Sequence, residues 1–220
     1  MALLTSLLTC EAQEIRKGNI ELSAGASFPV GEFGYKHADF EGSGFAEYGI
    51  CLALSFTYRL NAQMGLVARV SENMMGVHET GAGNRYWIPE YGYNWTVESG
   101  PWLTTAFLGG LDLIIPLYLS DFYFRLLGGA ASARLPRLTG TAYNFIREAS
   151  SGLAAAWSVG MGVRYQSFKK VTLSFGIDFL VSNHVLDEVW SSDLGASGSG
   201  KIYQNMVTFN LRAGLGIRIF

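Results

Sequence analysis

Charge is scarce in this chain. Only 15% of its 220 residues are Asp, Glu, Lys or Arg, against about 25% in soluble domains. Yet 49% are hydrophobic and the mean hydropathy is +0.20, which excludes a disordered chain. A basic excess is also missing. The net charge is −2 and the isoelectric point lies near 5.9, which argues against a nucleic-acid partner, because neutralising phosphates needs a basic surface. Two cysteines are too few for a disulfide-stapled mini-protein or a structural zinc site. The histidines are only His37, His78 and His184, and His78-Glu79 runs into no second histidine, so the zinc-protease motif is absent. No metal or other cofactor is expected.

Long apolar runs are lacking too. A helix crossing a bilayer needs about 20 consecutive, mostly apolar residues. The longest uncharged stretch, Ala149 to Val163, carries three glycines and three serines. An apolar chain without a helical span is either a soluble protein with a large core or one whose apolar residues face lipid in alternation, as in a transmembrane barrel.

The first dozen residues stand apart. Leu3, Leu4, Leu7 and Leu8 form a short apolar run, and Cys10-Glu11-Ala12 puts small residues at both specificity positions of a cut before Gln13. Residues 1–12 therefore read as the tail of a secretory signal peptide without its basic region, and 13–220 as the mature domain. Two other readings are a lipid-modified Cys10 and an ordinary apolar N-terminus. With residues 1–12 removed, Cys51 is the only cysteine, and no internal disulfide forms.

Beyond that point the pattern is period two. Apolar and small or polar residues alternate through 20–28, 47–59, 64–71, 103–113, 122–131, 153–165, 171–182 and 207–219, the signature of half-buried strands. Eight strands is an even number, and most are long enough to cross hydrocarbon at a tilt. The connections 60–63, 114–121 and 166–170 are short. Those at 29–44, 73–101, 135–152 and 183–204 are long. Short turns on one rim and long loops on the other is the layout of an eight-stranded antiparallel transmembrane β-barrel, an up-and-down meander with both termini on the short-turn rim.

Charge placement supports that assignment. When each strand is phased by its apolar residues, Glu21, Glu47, Arg59, Arg69, Asp112, Arg125, Arg164, Asp178, Arg212 and Arg218 fall on the other face. Glu72 and Arg134 are exceptions, both toward the long-loop end. A basic residue facing lipid at mid-depth costs roughly 2–4 kcal/mol, and little near the interface. A barrel of eight strands is narrow and filled by side chains, so these ten charges predict an internal ion-pair network rather than an open pore. Inward glycines (65, 110, 129, 160, 162, 176, 214 and 216) are expected to make room for the arginines. Aromatic residues near strand ends predict interfacial girdles: Phe28, Phe45, Trp102, Trp157 and Phe179 on the loop side, Tyr58, Tyr118, Phe122, Tyr165 and Phe168 on the turn side.

These features together resemble the outer-membrane β-barrel domain family, the small eight-stranded, porin-like group that includes the OmpA-type transmembrane domain. The carriers are Gly25-Ala26-Ser27-Phe28-Pro29-Val30-Gly31, Tyr58-Arg59-Leu60 and the ending Leu215-Gly216-Ile217-Arg218-Ile219-Phe220. The resemblance implies residence in the outer membrane of a Gram-negative-type cell. Its implied partners are outer-membrane lipid, lipopolysaccharide and the barrel-assembly machinery, with the barrel a monomer. One departure concerns the terminal aromatic, which in that family shares a face with apolar residues two and four before it. Phe220 shares parity with Arg218 and Gly216, which calls for a bulge or a degenerate signal.

Catalytic residues are not evident. No His-x-Ser pair exists, and the nearest acid–base group is His184 with Ser182 or Asp187. The second long loop is richer: Arg85, Tyr86, Trp87, Tyr91, Tyr93 and Trp95 crowd into eleven residues. They read either as a surface for glycan or protein or as a small core within the loop. The expectation is a non-enzymatic envelope protein that acts through its long loops in structure, adhesion or binding. The alternatives are a lipid-modifying outer-membrane enzyme (a lipid A or phospholipid hydrolase or acyltransferase) and a soluble lipocalin-like binder with its apolar face turned inward.

Overall fold

A computed structural model describes residues 17–40, 42–86, 96–141, 144–166, 170–193 and 195–219. Among them the chain forms β1 (Gly18–Val30), β2 (Ala46–Arg59), β3 (Met64–Val77), α1 (Glu79–Arg85), β4 (Val97–Ser99), β5 (Trp102–Pro116), β6 (Ser120–Leu135), β7 (Leu138–Gly140), β8 (Phe145–Arg147), β9 (Ser150–Tyr165), β10 (Val171–Ser191) and β11 (Ser197–Ile219). Eight of these are long. They pair antiparallel in chain order, β1-β2-β3-β5-β6-β9-β10-β11, and β11 returns to β1 from Ile219↔Gly18 to Val207↔Val30. The sheet thus closes on itself and leaves no edge within the ring.

Period-two alternation fixes which side is which. Leu22, Leu54, Leu66, Phe107, Leu126, Val159, Phe175 and Leu215 face outward and are exposed. Glu21, Arg69, Asp112, Arg125, Arg164 and Asp178 face inward and are buried. A soluble binder would invert that arrangement, because exposed leucine and phenylalanine around a whole circumference need hydrocarbon, not water. No helix is long and apolar enough to cross a membrane among the described residues. The chain crosses with strands, and the eight long elements are the eight expected.

The turn side is short: Asn61 Oδ1 accepts the backbone N–H groups of Gln63 and Met64 at 2.8 Å each, holding the β2–β3 turn. On the other side the fourth connection departs from expectation. Residues 183–204 are not a long loop. β10 and β11 run on as a paired ladder to Ser191↔Ser197, just beyond which the Ser192 N–H donates to the Ala196 carbonyl. The other long connections carry structure of their own. β4, β7 and β8 form a small antiparallel ribbon, joined to the barrel where β8 pairs with Trp190 and Ser191 of β10.

Two expected girdle residues are elsewhere. Phe45 and Trp102 are 4% and 3% exposed and pack inside the loop end. Outward rings do remain at that level: Phe28 and Phe179 flank Phe209 with centroids 6.2 and 5.1 Å away, and Trp157 is exposed. On the turn side Tyr118 and Tyr165 are exposed. Phe168, Phe220 and the N-terminal segment with Cys10 lie outside the described residues. β11 keeps register with β1 and β10, without a bulge, as far as its pairing extends.

Candidate functional site

From the turn side upward, the bore holds three ionic groups. At the mouth, Arg59 pairs with Asp121, which also accepts from Gln166, while Arg218 donates to the Gln166 side-chain oxygen at 3.0 Å. In the middle, Arg125 grips Asp112 with two parallel bonds of 2.6 and 2.8 Å. Arg164 lies 3.7 Å from both Asp112 and Glu21. Tyr123 stands between the two guanidiniums, 4.9 Å from that of Arg125 and 5.2 Å from that of Arg164. Higher still, Asp178 is shared by Arg69 (3.5 Å) and Arg212, with Ser158 and Asn210 donating to the same carboxylate.

A bidentate, charge-assisted pair is the strong form of such contacts, and burial makes each partner dependent on the other. Nine of the ten charges named from sequence phasing line the bore. Glu47 does not. A register irregularity between Ala46 and Gly49 turns Ala46 inward. Glu47 is left at the rim, one-third exposed, where Lys36 (3.0 Å) and His78 (3.1 Å) reach it. Asp121 takes a place inside that phasing did not assign, because it lies at the first residues of β6, where polar side chains prolong the pattern of the turn. Two of the inward glycines serve a different neighbour than expected. A Cβ at Gly162 or Gly176 would stand 2.6 or 2.7 Å from the Tyr123 hydroxyl, so they make room for the ring on which the arginines stack.

Above the ions the bore changes character. Asn73 donates to Thr208 and Asn210 to the same hydroxyl. Then Phe33, Met75, Trp102, Leu135, Leu186 and Met206 close it as one buried apolar cluster. Phe33 comes from the first long loop, on a 3-10 turn at Gly31–Gly34, and meets Trp102 edge-on at 5.5 Å. The Trp102 indole donates to the Gly44 carbonyl at 2.9 Å, which ties that loop down as a lid.

His184 sits just beneath the lid. Its Nε2 is 2.9 Å from the Ser182 hydroxyl and its Nδ1 3.1 Å from the Gly152 carbonyl. Asp187 lies on the opposite, exposed face of β10. Both His184 and Ser182 are buried, and among the described residues no carboxylate completes the pair and no group of His, Cys, Asp and Glu could hold a metal. The serine and histidine lie beneath the packed apolar side chains of the lid.

Over the lid stands a folded cap. Phe45, Ala82, Val97, Leu138 and Phe145 form its core, with Val77, Tyr86 and Trp190 against it. Tyr86, at the end of α1, packs on Phe145 at 5.0 Å and donates to Glu188. Arg147 donates to the Tyr86 hydroxyl (3.0 Å) and to the Pro136 carbonyl (3.0 Å). Three connections are thus tied at one phenol. Burial, with the Glu188 carboxylate, pushes that phenol above its usual range against the pull of Arg147. Arg85 lies over the Phe45 ring at 5.7 Å. Of the residues singled out in this loop, Arg85 and Tyr86 belong to the cap, and Trp87, Tyr91, Tyr93 and Trp95 lie outside the described residues. Sequence inspection missed Phe145 and Arg147, whose three-residue strand is too short to register, and Glu188, which lies in the extension of β10 where polar and apolar residues mix.

No family model matches the chain, and no curated protein does. Solved structures do. A major outer membrane protein from Thermus thermophilus is 11% identical, aligned over 92% of this chain and 99% of that one, with a TM-score of 0.58. The outer membrane protease OmpT from Escherichia coli is 9% identical over 92% and 97%, with a TM-score of 0.53. Ail, the attachment invasion locus protein of Yersinia pestis, solved with the heparin analogue sucrose octasulfate, is 13% identical over 92% and 99%, with a TM-score of 0.50. At these identities the likeness is one of fold: this chain has the fold of the outer-membrane β-barrels.

Proposed function

We propose that the chain is an integral outer-membrane protein that does not conduct and does not catalyse, and that presents its folded cap at the cell surface for binding or attachment. One observation carries this reading: the bore is filled by ion pairs and then sealed by the Phe33–Trp102 cluster, while the same end builds a second core outside the membrane. A channel needs a continuous wet path, and an enzyme needs reachable groups. The remaining feature is a rigid platform held above the lipid. Outer-membrane lipid and lipopolysaccharide surround such a barrel, the barrel-assembly machinery inserts it, and a closed ring needs no second copy. Ail, an attachment invasion locus protein crystallised with a heparin analogue, supports a binding role for this architecture. OmpT, an outer membrane protease of similar fold, makes hydrolysis the alternative to exclude.

The test compares cells displaying the protein with cells displaying a variant whose β10–β11 hairpin is cut to a short turn between Val185 and Tyr203. Attachment to protein-coated and sulfated-glycan-coated surfaces is expected to fall for the variant, while heat-shifted gel mobility shows the barrel intact. Planar bilayers holding the purified protein stay silent, and casein and phospholipid remain uncleaved. Steady conductance, turnover or unchanged attachment would each defeat the reading.

A further inference from the structure

β11 outlasts its neighbour on one side. It pairs with β10 as far as Ser197, but with β1 only as far as Val207. Residues 197–206 therefore have one edge beside which no described strand lies. Parity tells which groups point to it. The Ser192 N–H donates to the Ala196 carbonyl, and the Arg218 N–H to the Lys170 carbonyl. Both pairs belong to the one β10–β11 register, so even-numbered residues of β11 bond to β10. Odd-numbered residues then bond to β1 below Val207, and above it they face outward. The Asn205 carbonyl is taken by the Gln204 side chain, which also reaches Gly42 of the first loop. No described residue bonds to the N–H or C=O groups of Ser199, Lys201 and Tyr203, which span about 14 Å of backbone at about 3.4 Å per residue.

This edge stands clear of the lipid. From Val171 to Val181 is ten steps, about 25 Å of height at the usual tilt, the depth of an apolar band. The outward pair Asn183↔Asn205 follows, and only then Val185↔Tyr203. Tyr203 is 72% exposed and Val185 is exposed beside it, an apolar step outside the membrane. Natural edges are blunted by lysine or proline on the edge, a bulge, a covering element or an inward charge. From Ser197 to Tyr203 one of these is present, the edge lysine Lys201; there is no proline or inward charge, the register is continuous, and Gly200 has nothing within 4 Å of where a side chain would be.

We infer that this edge is a strand-addition site for an extended polypeptide segment of another protein, which would set an apolar side chain beside Tyr203 and Val185. The inference rests on the surface-binding reading and names the partner class for it. Alternating donors and acceptors about 7 Å apart match a peptide backbone and nothing in a lipid or glycan. A second copy in the same membrane fits poorly, because a two-fold axis along the membrane normal crosses two tilted strands rather than aligning them.

The experiment selects twelve-residue peptides from a random display library on the whole protein in nanodiscs. Lys201→Pro and Ser199→Pro each remove an edge N–H that the hairpin itself does not use, so the fold is expected to hold, checked by heat-shifted mobility. Lys201→Ala keeps the N–H and removes the charge. Selected peptides are expected to lose at least tenfold in affinity for both proline variants and under twofold for Lys201→Ala, and to slow amide exchange at 199, 201 and 203. Failure to enrich peptides, equal binding to the proline variants, or slow exchange at those amides before any peptide is added, which would mean the edge is already covered by this chain, each overturn the inference. Cell attachment that survives Lys201→Pro yet falls when the hairpin is cut removes the edge site and leaves the surface-binding reading; attachment unaffected by either change removes both.

Discussion

Asp112→Asn is the sharpest perturbation of the bore. Asp112 has no exposure, accepts two bonds from Arg125 and lies 3.7 Å from Arg164. The amide keeps the shape and removes the charge. Arg125 then loses both of its bonds to a carboxylate, and Arg164 keeps Glu21 at 3.7 Å. Removing one partner of a buried pair costs about 3–5 kcal/mol, whereas replacing both partners with apolar groups of like volume is often close to neutral. The pair Asp112→Leu with Arg125→Leu is therefore expected to recover most of the loss. Urea unfolding of the barrel in lipid vesicles, followed by tryptophan fluorescence and by gel mobility without boiling, measures both. A loss below about 1 kcal/mol for the single variant would refute the argument that these charges hold one another in a dry bore. So would a double variant weaker than the single one, since it would place the stability in packing around Asp112 instead.

Three further outcomes follow from other parts of the molecule. Gly176→Ala pushes a methyl against the Tyr123 hydroxyl and is expected to cost about 1–3 kcal/mol; in a Tyr123→Phe background the cost should shrink, and additive losses in unfolding titrations would show that the two do not touch. Phe33→Ala empties the centre of the lid, with a cost of about 3–5 kcal/mol, and should give brief openings in planar bilayers where the parent gives none. Tyr86 has its phenol pKa raised by burial. Its contribution to the cap is thus fully present below about pH 10 and is lost as pH rises through the higher folded value. Absorbance titration against Tyr86→Phe should reveal one late-ionising tyrosine, and a Tyr86 midpoint at or below the free value contradicts the buried geometry.

What was legible in the sequence was what repeats. Alternation of period two over ten residues survives local noise, so Leu211 to Ile219 reads as a strand with Arg212 and Arg218 on the far side. Features that break period escaped. The irregularity between Ala46 and Gly49 is invisible in composition, and it moved Glu47 out of the bore. Asp121 looked like turn because polar residues begin both turns and strands. The extension of β10 through His184 to Ser191 mixes Asn183, Asp187 and Glu188 among apolar residues, since above the lipid its outward face meets water and alternation loses its meaning. Trp102 and Phe45 resembled girdle residues because a ring at a strand end serves either a headgroup layer or a loop core, and only packing against Phe33 or Ala82 separates the two.

The same change of solvent explains how the molecule divides. Inside the band, outward positions are apolar except toward the loop end, where Glu72 and Arg134 are exposed, and inward charges are matched within the bore, so the sequence is constrained on both faces. Above the Asn183↔Asn205 pair neither constraint applies. There the hairpin keeps its backbone ladder but loses β1 and most of β9 as neighbours, and stability passes to the cap core and to the Tyr86–Arg147–Glu188 tie. A partner that binds the hairpin therefore acts on the region where few residues are fixed by the membrane. Substitutions there should change binding without touching the barrel, and substitutions in the bore should unfold the barrel before they change binding. Measuring attachment and unfolding for one series of each kind separates the two, and a bore variant such as Asp112→Asn that weakened attachment at full barrel occupancy would show the platform to be coupled to the ions below.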